Sequence, residues 1–246
     1  MKILVCISHV PDTTSKINFV NDNTEFDTNG VQFIINPYDE FGLTKAIQLK
    51  EANGGTVTAI NVGDATTEPT LRKALAIGAD DAIRVNANPT DAYFVAEQLA
   101  AVAKDGGYDL IICGQESIDY NGGQVGGMLA ALLDLPFASP CVGLDIDGST
   151  ATVLREIDGG KEKSTMSLPI VLGGKKGLVE EKDLRIPNMR GIMTARTKPL
   201  ATVEAVSADA RTTAVKFEKP AAKAAVKLVD SAEELVQLLH NEAKAI

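Results

Sequence analysis

Over roughly the first 135 residues, short apolar runs alternate with amphipathic stretches, and this alternation constrains the fold more than any other feature. Residues 2–7, 56–62, 81–85 and 108–113 are near-continuous runs rich in Val and Ile. Such runs suit strands covered on both faces. Between them lie helix signals. Asn36-Pro37-Tyr38-Asp39-Glu40 supplies an N-cap, a proline at the first helical position and acids in the first turn. Leu43, Ala46 and Ile47 then form an i, i+3, i+4 stripe, and Gly54-Gly55 ends it. A second helix is expected to open near Thr67, with Pro69 just inside, and to stop at Gly78. A third is expected over about 90–104 and a fourth over 123–133. This β/α order predicts an α/β fold, doubly wound around a mostly parallel, Rossmann-like sheet. Residues 17–20 and 31–35, joined by an Asn/Asp/Gly-rich connection, read as a hairpin.

Beyond Pro136 the pattern changes. Strands are expected at 142–146, 151–157 and 164–172, with turns at Asp147-Gly148 and Asp158-Gly159-Gly160. Residues 199–229 show little periodicity and read as an extended arm. Ser231 with Glu234 three residues on makes a capping box, and Leu235, Leu238 and Leu239 follow on one helical face. The chain thus divides into an α/β domain, 1–198, and an arm with a terminal helix, 199–246.

Composition removes several function classes. Lys and Arg number 24 against 33 Asp and Glu, a net charge of −9, and aromatics make up 4% with no Trp. An acidic chain without stacking platforms is a poor nucleic-acid binder. No apolar run approaches the roughly 20 residues of a membrane span. The run after Met1-Lys2 is too short for a signal peptide and reads as a first strand. Cys6, Cys113 and Cys141 are widely spaced and sit in apolar segments, as buried thiols do in a reducing cytoplasm. With only His9 and His240 and no CxxC, a metal, haem or iron–sulfur site is not expected. His9 reads as a polar loop residue. Redox work would require a borrowed cofactor.

One segment invites chemistry. Gly114-Gln115-Glu116-Ser117-Ile118-Asp119-Tyr120-Asn121-Gly122-Gly123-Gln124-Val125-Gly126-Gly127 follows a buried strand and opens a helix. Ligands of open α/β sheets bind at such places, and five of these fourteen residues are Gly. Glycine lets backbone amides approach a phosphate. The pattern is neither GxGxxG nor Walker A. Between Lys104 and Arg155 there is no Lys or Arg, whereas phosphoryl transfer calls for cations. The loop therefore suits a nucleotide that is held and not turned over. The Asn36-Pro37-Tyr38 helix start is a second wall, where Asp39 and Glu40 favour a base or sugar over phosphate.

A basic stretch stands apart. From Lys175 to Lys198 there are seven Lys/Arg against three acids, +4 within a chain of −9. It contains Ile186-Pro187-Asn188-Met189-Arg190-Gly191-Ile192-Met193. A Met-bearing apolar tip rimmed by cations suits docking on acidic partners.

Taken in order, these segments resemble the β subunit of electron transfer flavoproteins along almost the whole chain. The marks are Leu4-Val5-Cys6-Ile7 with Val10-Pro11-Asp12, Asn36 to Phe41, Lys73-Ala74-Leu75-Ala76-Ile77-Gly78-Ala79-Asp80, Cys113 to Asp119, Arg155-Glu156-Ile157-Asp158-Gly159-Gly160, Leu168-Pro169, and the Arg185-to-Met193 segment. The resemblance implies a non-catalytic subunit of a heterodimer whose α subunit holds the redox-active FAD. It implies a structural AMP at Cys6, Asn36, Pro37, Tyr38, Asp39, Val62, Gly114 to Asp119, Gly122, Gly123, Gln124 and Val125. It implies docking on acyl-CoA and other flavin dehydrogenases through the 181–196 loop, with a quinone oxidoreductase as a further partner. Arg185, Met189, Arg190, Ile192 and Met193 would make that contact, with Met189 as anchor. Thr13 and Tyr38 match positions near the α-subunit flavin, and the terminal helix would pack on the α subunit. Val125 departs from the Thr of AMP-binding members and resembles those that hold a second FAD and bifurcate electrons. Rival readings are an ATP-using enzyme on a similar fold and a stand-alone nucleotide-binding homodimer.

Overall fold

The computed structural model describes residues 1–223 and 225–246. The chain opens with β1 (Lys2–Cys6), β2 (His9–Pro11), β3 (Phe19–Val20), β4 (Glu25–Phe26) and β5 (Phe33–Ile35). Then come α1 (Pro37–Asn53), β6 (Thr56–Val62), α2 (Glu68–Ile77), β7 (Asp81–Asn86), α3 (Ala92–Lys104), β8 (Leu110–Gly114) and α4 (Val125–Leu133). The second half holds β9 (Phe137–Asp147), β10 (Thr150–Ile157), β11 (Gly160–Ser167), β12 (Ile170–Gly174), α5 (Met189–Ala195), β13 (Leu200–Glu204) and α6 (Ala232–Asn241).

A nine-stranded sheet runs in the order β11-β10-β9-β12-β8-β1-β6-β7-β13. Neighbours from β9 through to β13 are parallel. Only β10 and β11 at one edge pair antiparallel. Central strands alternate their side chains between two cores. Ile3, Val5, Val57 and Ala59 pack with Leu43, Ala46, Leu71 and Leu75 of α1 and α2. Leu4, Cys6, Ile60 and Val62 pack with Leu99 and Leu129 of α3 and α4. This is the doubly wound arrangement that the continuous apolar runs predict. Among the described residues, no helix is long and apolar enough to cross a membrane.

Several local expectations differ from the structure. Residues 17–20 and 31–35 do not pair with each other. Phe19–Val20 pairs with Glu25–Phe26 across a turn of Asn21, Asp22 and Asn23 at positive φ, and Phe33–Ile35 pairs with His9–Pro11. Asn and Asp tolerate the left-handed region, so the turn is tighter than the full linker implies. Residues 164–172 are not one strand. Pro169 lacks an amide to donate, and the chain passes there from β11 to the interior strand β12. The expected arm from 199 loses its first residues to β13, which pairs Leu200 with Ala82 and Glu204 with Asn86. As an edge strand it leaves most positions exposed, so its apolar signature is faint. The arm proper begins after Glu204.

The 181–196 segment, read as a loop, contains α5. Asn188 caps this helix by accepting from the Gly191 amide at 2.7 Å. The helix is fastened to α2 from both sides. Arg72 on α2 donates to the carbonyls of Ala195 at 2.9 Å and Lys198 at 3.0 Å. Lys198 returns the exchange, donating to Leu75 O at 2.9 Å and Ala79 O at 2.5 Å. A Cβ on Gly191 would run into the Ala76 carbonyl, so only glycine permits this approach. Arg72→Met, which keeps the stem and removes the donors, should speed proteolytic cleavage within 185–196 several-fold. The global denaturant midpoint should move little, because each lost hydrogen bond is worth about 1 kcal/mol and Arg72 is partly exposed.

Candidate functional site

The sheet order places a topological switch between β1 and β8. From β1 the chain winds outward through β6 and β7, then returns to lay β8 on the other side. The helices that follow β1 and β8 cover opposite faces of the sheet, and it is at the carboxyl ends of two such strands that an open α/β sheet forms its ligand crevice. Its lips are Cys6-Ile7-Ser8 and Gly114-Gln115.

Asp39 ties the lips together. It stands in the first turn of α1, is 2% exposed, and accepts from the Ser8 amide at 2.7 Å and the Gly114 amide at 2.8 Å. Asn36 adds a third donor to the same carboxylate at 3.1 Å. Burial pushes the Asp39 carboxyl up to about 7, while the donors from Ser8, Asn36 and Gly114 pull the other way. Asn36 occupies the N-cap position, yet its side chain does not cap α1. It donates instead to Glu116 O at 2.9 Å and accepts from the Ile118 amide at 3.3 Å. Gly114 is required at this junction, because a Cβ there would press on Asp39, Tyr38 and Asn36. The expectation that Asp39 and Glu40 present free charge to a ligand is corrected. Asp39 is buried among donors, and Glu40 is paired with Lys73 at 2.9 Å.

Beyond Gly114 the loop folds back on itself. The Ser117 amide donates to Gly122 O at 3.0 Å, leaving Ile118-Asp119-Tyr120-Asn121 as a tip. Ser117 Oγ donates to the Asp119 carboxylate, which also accepts from the Tyr120 amide at 2.9 Å. Gly122, Gly123 and Gln124 are exposed, and Val125 is half-buried. The helix that follows has no side-chain cap at Gln124, as α1 and α2 also lack one, whereas α3, α5 and α6 are capped by Asp91, Asn188 and Ser231. The first amides of α4 thus lack an intrahelical partner and a capping side chain, at the mouth of the crevice. That is a place for an anion.

Cys6 and Val62 end β1 and β6 as buried floor. Cys113, next to last in β8, lies beside Cys6, and its thiol together with burial pushes the Cys6 thiol well above its usual range. All three cysteines are free and buried. Pro37 and Tyr38 are half-buried where α1 begins. Thr13 is exposed, in a turn held by Asp12, which accepts from Thr14.

A cation missed in the chain-local count also reaches this region. The Gln115 amide donates to Gly174 O at 2.7 Å, which brings the next residue, Lys175, alongside the loop. Its ammonium is paired with Glu156, and that bond, with the charge of Glu116 and the Tyr38 phenol, holds it above the ordinary lysine range. Lys175 lies sixty residues on in sequence, so no window around the loop could include it.

The residues expected to dock on partners lie on α5 or in the segment just before it. Met189, Ile192 and Met193 are exposed on α5, beside exposed Ile186, with Met189 78% exposed. Arg190 is exposed as well. Arg185 is drawn back toward α1 by Glu51 at 2.7 Å.

The sequence profile of the electron transfer flavoprotein domain matches residues 24–208. The electron transfer flavoprotein subunit beta of Bacillus subtilis (strain 168) is 37% identical, with the whole of both chains covered. Its counterpart in Bradyrhizobium diazoefficiens is also 37% identical over 99% of each chain. The Homo sapiens subunit is 32% identical, covering 97% of this chain and 96% of its own.

The raised Asp39 carboxyl has a consequence for stability. The folded state holds a proton that the unfolded chain releases near pH 4, so this group's contribution is full below about 4 and is lost as pH rises through about 7. Asp39→Asn should flatten the change in denaturant midpoint between pH 5 and pH 8. An undiminished slope in the variant would place the titrating group elsewhere.

Proposed function

This chain belongs to the electron transfer flavoprotein family, as a β subunit, and on that premise we propose that it is the non-catalytic half of a heterodimeric electron carrier that grips AMP and docks on dehydrogenases. The observation that carries the nucleotide reading is the uncapped start of α4 at the β1/β8 switch point, beside a glycine loop whose backbone is exposed. A ribose phosphate suits those donors. The amides of the first turn of α4 would face the phosphate, and the loop 114–125 would wrap the rest against Cys6, Val62 and the 36–39 turn. Lys175, already balanced by Glu156, adds little free charge, which accords with holding a nucleotide and not splitting one.

The partner α subunit would hold the FAD that supplies the electron chemistry. This chain's part is to shape the surface: Thr13 and Tyr38 would lie toward that flavin, and α6 would cover its apolar face on the α subunit. α6 has no buried residue among those described, although Leu235 and Val236 belong to it. The exposed Met189, Ile192 and Met193 would touch acyl-CoA or other flavin dehydrogenases, in the cytoplasm, with a quinone oxidoreductase receiving the electrons. Methionine's flexible thioether suits several partners in turn. Val125 favours a second reading, in which a second FAD replaces AMP and electrons bifurcate, because it brings no hydroxyl to the start of α4.

Denaturing the purified heterodimer should release one FAD and one AMP. Two FAD and no AMP would overturn the AMP assignment in favour of bifurcation. Met189→Ala should slow flavin reduction by a dehydrogenase roughly tenfold, as an anchor worth 1–2 kcal/mol would, with flavin content unchanged. Loss of flavin would instead make α5 a structural element.

A further inference from the structure

The arm leaves the sheet at Glu204 and returns along the edge on which the β1/β8 crevice opens. Its course is fixed at successive points. The Val206 amide donates to Gln98 Oε1 at 2.8 Å, and its carbonyl accepts from Gln98 Nε2 at 2.9 Å. The amides of Arg211 and Thr212 then donate to Asp91 Oδ2 at 2.6 and 2.8 Å. Asp91 caps α3, which follows β7, so the arm is by then at the carboxyl edge of the sheet. The Arg211 guanidinium lies over the Tyr93 ring, 4.8 Å from its centre.

The last point is aromatic. The Phe217 amide donates to Asn23 O at 2.7 Å, and Lys219 Nζ donates to Asn18 Oδ1 at 2.7 Å. The Phe217 ring stacks on Phe19 of the β3–β4 hairpin, with centroids 5.1 Å apart and planes 13° from parallel. It also meets Tyr120, at 6.5 Å and 43°. Tyr120 stands at the tip of the glycine loop and is 70% exposed. A residue nearly a hundred positions downstream therefore links that tip to the hairpin.

We propose that Phe217 is a positioning residue for the glycine loop, holding its tip through Tyr120 and so setting how long a nucleotide stays in the crevice. This rests on the nucleotide reading given above. The alternative is that Phe217 only shields Phe19. In that case the ring would matter to the hairpin and not to the loop. The two differ in what Tyr120 contributes, because only the first couples Phe217 to Tyr120.

The test uses the purified heterodimer with Phe217→Ala, Tyr120→Ala, the double variant and Phe217→Tyr. Exchange of bound AMP against labelled AMP, hydrogen exchange of the 117–123 amides, and FAD content are measured. Phe217→Ala and Tyr120→Ala should each speed AMP exchange roughly three- to tenfold, the range expected of an aromatic pair. The double variant should go no further than either alone. Phe217→Tyr should keep the slow rate, and FAD content should not change. Protection of the 117–123 amides should fall in Phe217→Ala. Unchanged protection and unchanged AMP exchange in that variant, or fully additive effects in the double, overturn the proposal. If the wild-type heterodimer holds no AMP, the nucleotide reading fails, and amide protection at 117–123 still decides whether Phe217 positions the loop.

Discussion

A single buried carboxylate sets the geometry of the candidate site. Asp39 holds the amides following β1 and ending β8, the two strands between which the sheet reverses its winding. The crevice exists because the helices that follow those strands cover opposite faces, and its width is fixed because both lips bond to one side chain. Asn36, three residues earlier, extends the same grip to Glu116 and Ile118. A rigid helix start thus governs a glycine-rich loop that would otherwise have little to order it. The loop can then be open and exposed without being shapeless.

The molecule separates two tasks in space. The carboxyl edge of the parallel strands offers backbone amides and few free charges, which suits a ligand that is kept. The flank formed by α2 and α5 offers exposed methionines and a cation-rich surround, which suits contacts that are made and released. The two are joined by well-ordered elements: Arg72 and Lys198 exchange hydrogen bonds across α2 and the end of α5. Apolar side chains in water are tolerable there because the backbone beneath them is already fixed, so little ordering remains for a partner to impose.

Much of this was legible in the residues. Strands buried on both faces leave continuous apolar runs, and helices leave Asn-Pro starts and glycine stops, so the parallel core and α1 to α4 could be read directly. The glycine loop was legible for the same reason, as a non-repeating segment between a strand and a helix. What was not legible depends on distant pairing. Residues 31–35 pair with 9–11 and not with 17–20, a choice made by tertiary context. β13 is a short, exposed edge strand whose pattern carries no face. α5 is seven residues long and includes a glycine, leaving Asn188 as its one local signal. The roles of Asp39 and Lys175 are the sharpest case. Residue type suggested a carboxylate turned to the ligand and a loop without cations. Folding buries the first and delivers the second from β12.

The position of β12 has a consequence for how the chain comes into being. It lies between β8 and β9 although it is made after β9, β10 and β11. During vectorial synthesis, β9 and its hairpin partners have no place in the parallel sheet until residues 170–174 have emerged and slotted in beside β8. Only then does Gln115 find the Gly174 carbonyl. Long-range insertion of this kind belongs to slow, high-contact-order folding. The lips that Asp39 joins can thus form from the first half of the chain, whereas the Gln115 end of the loop is fastened only once the central sheet has been completed.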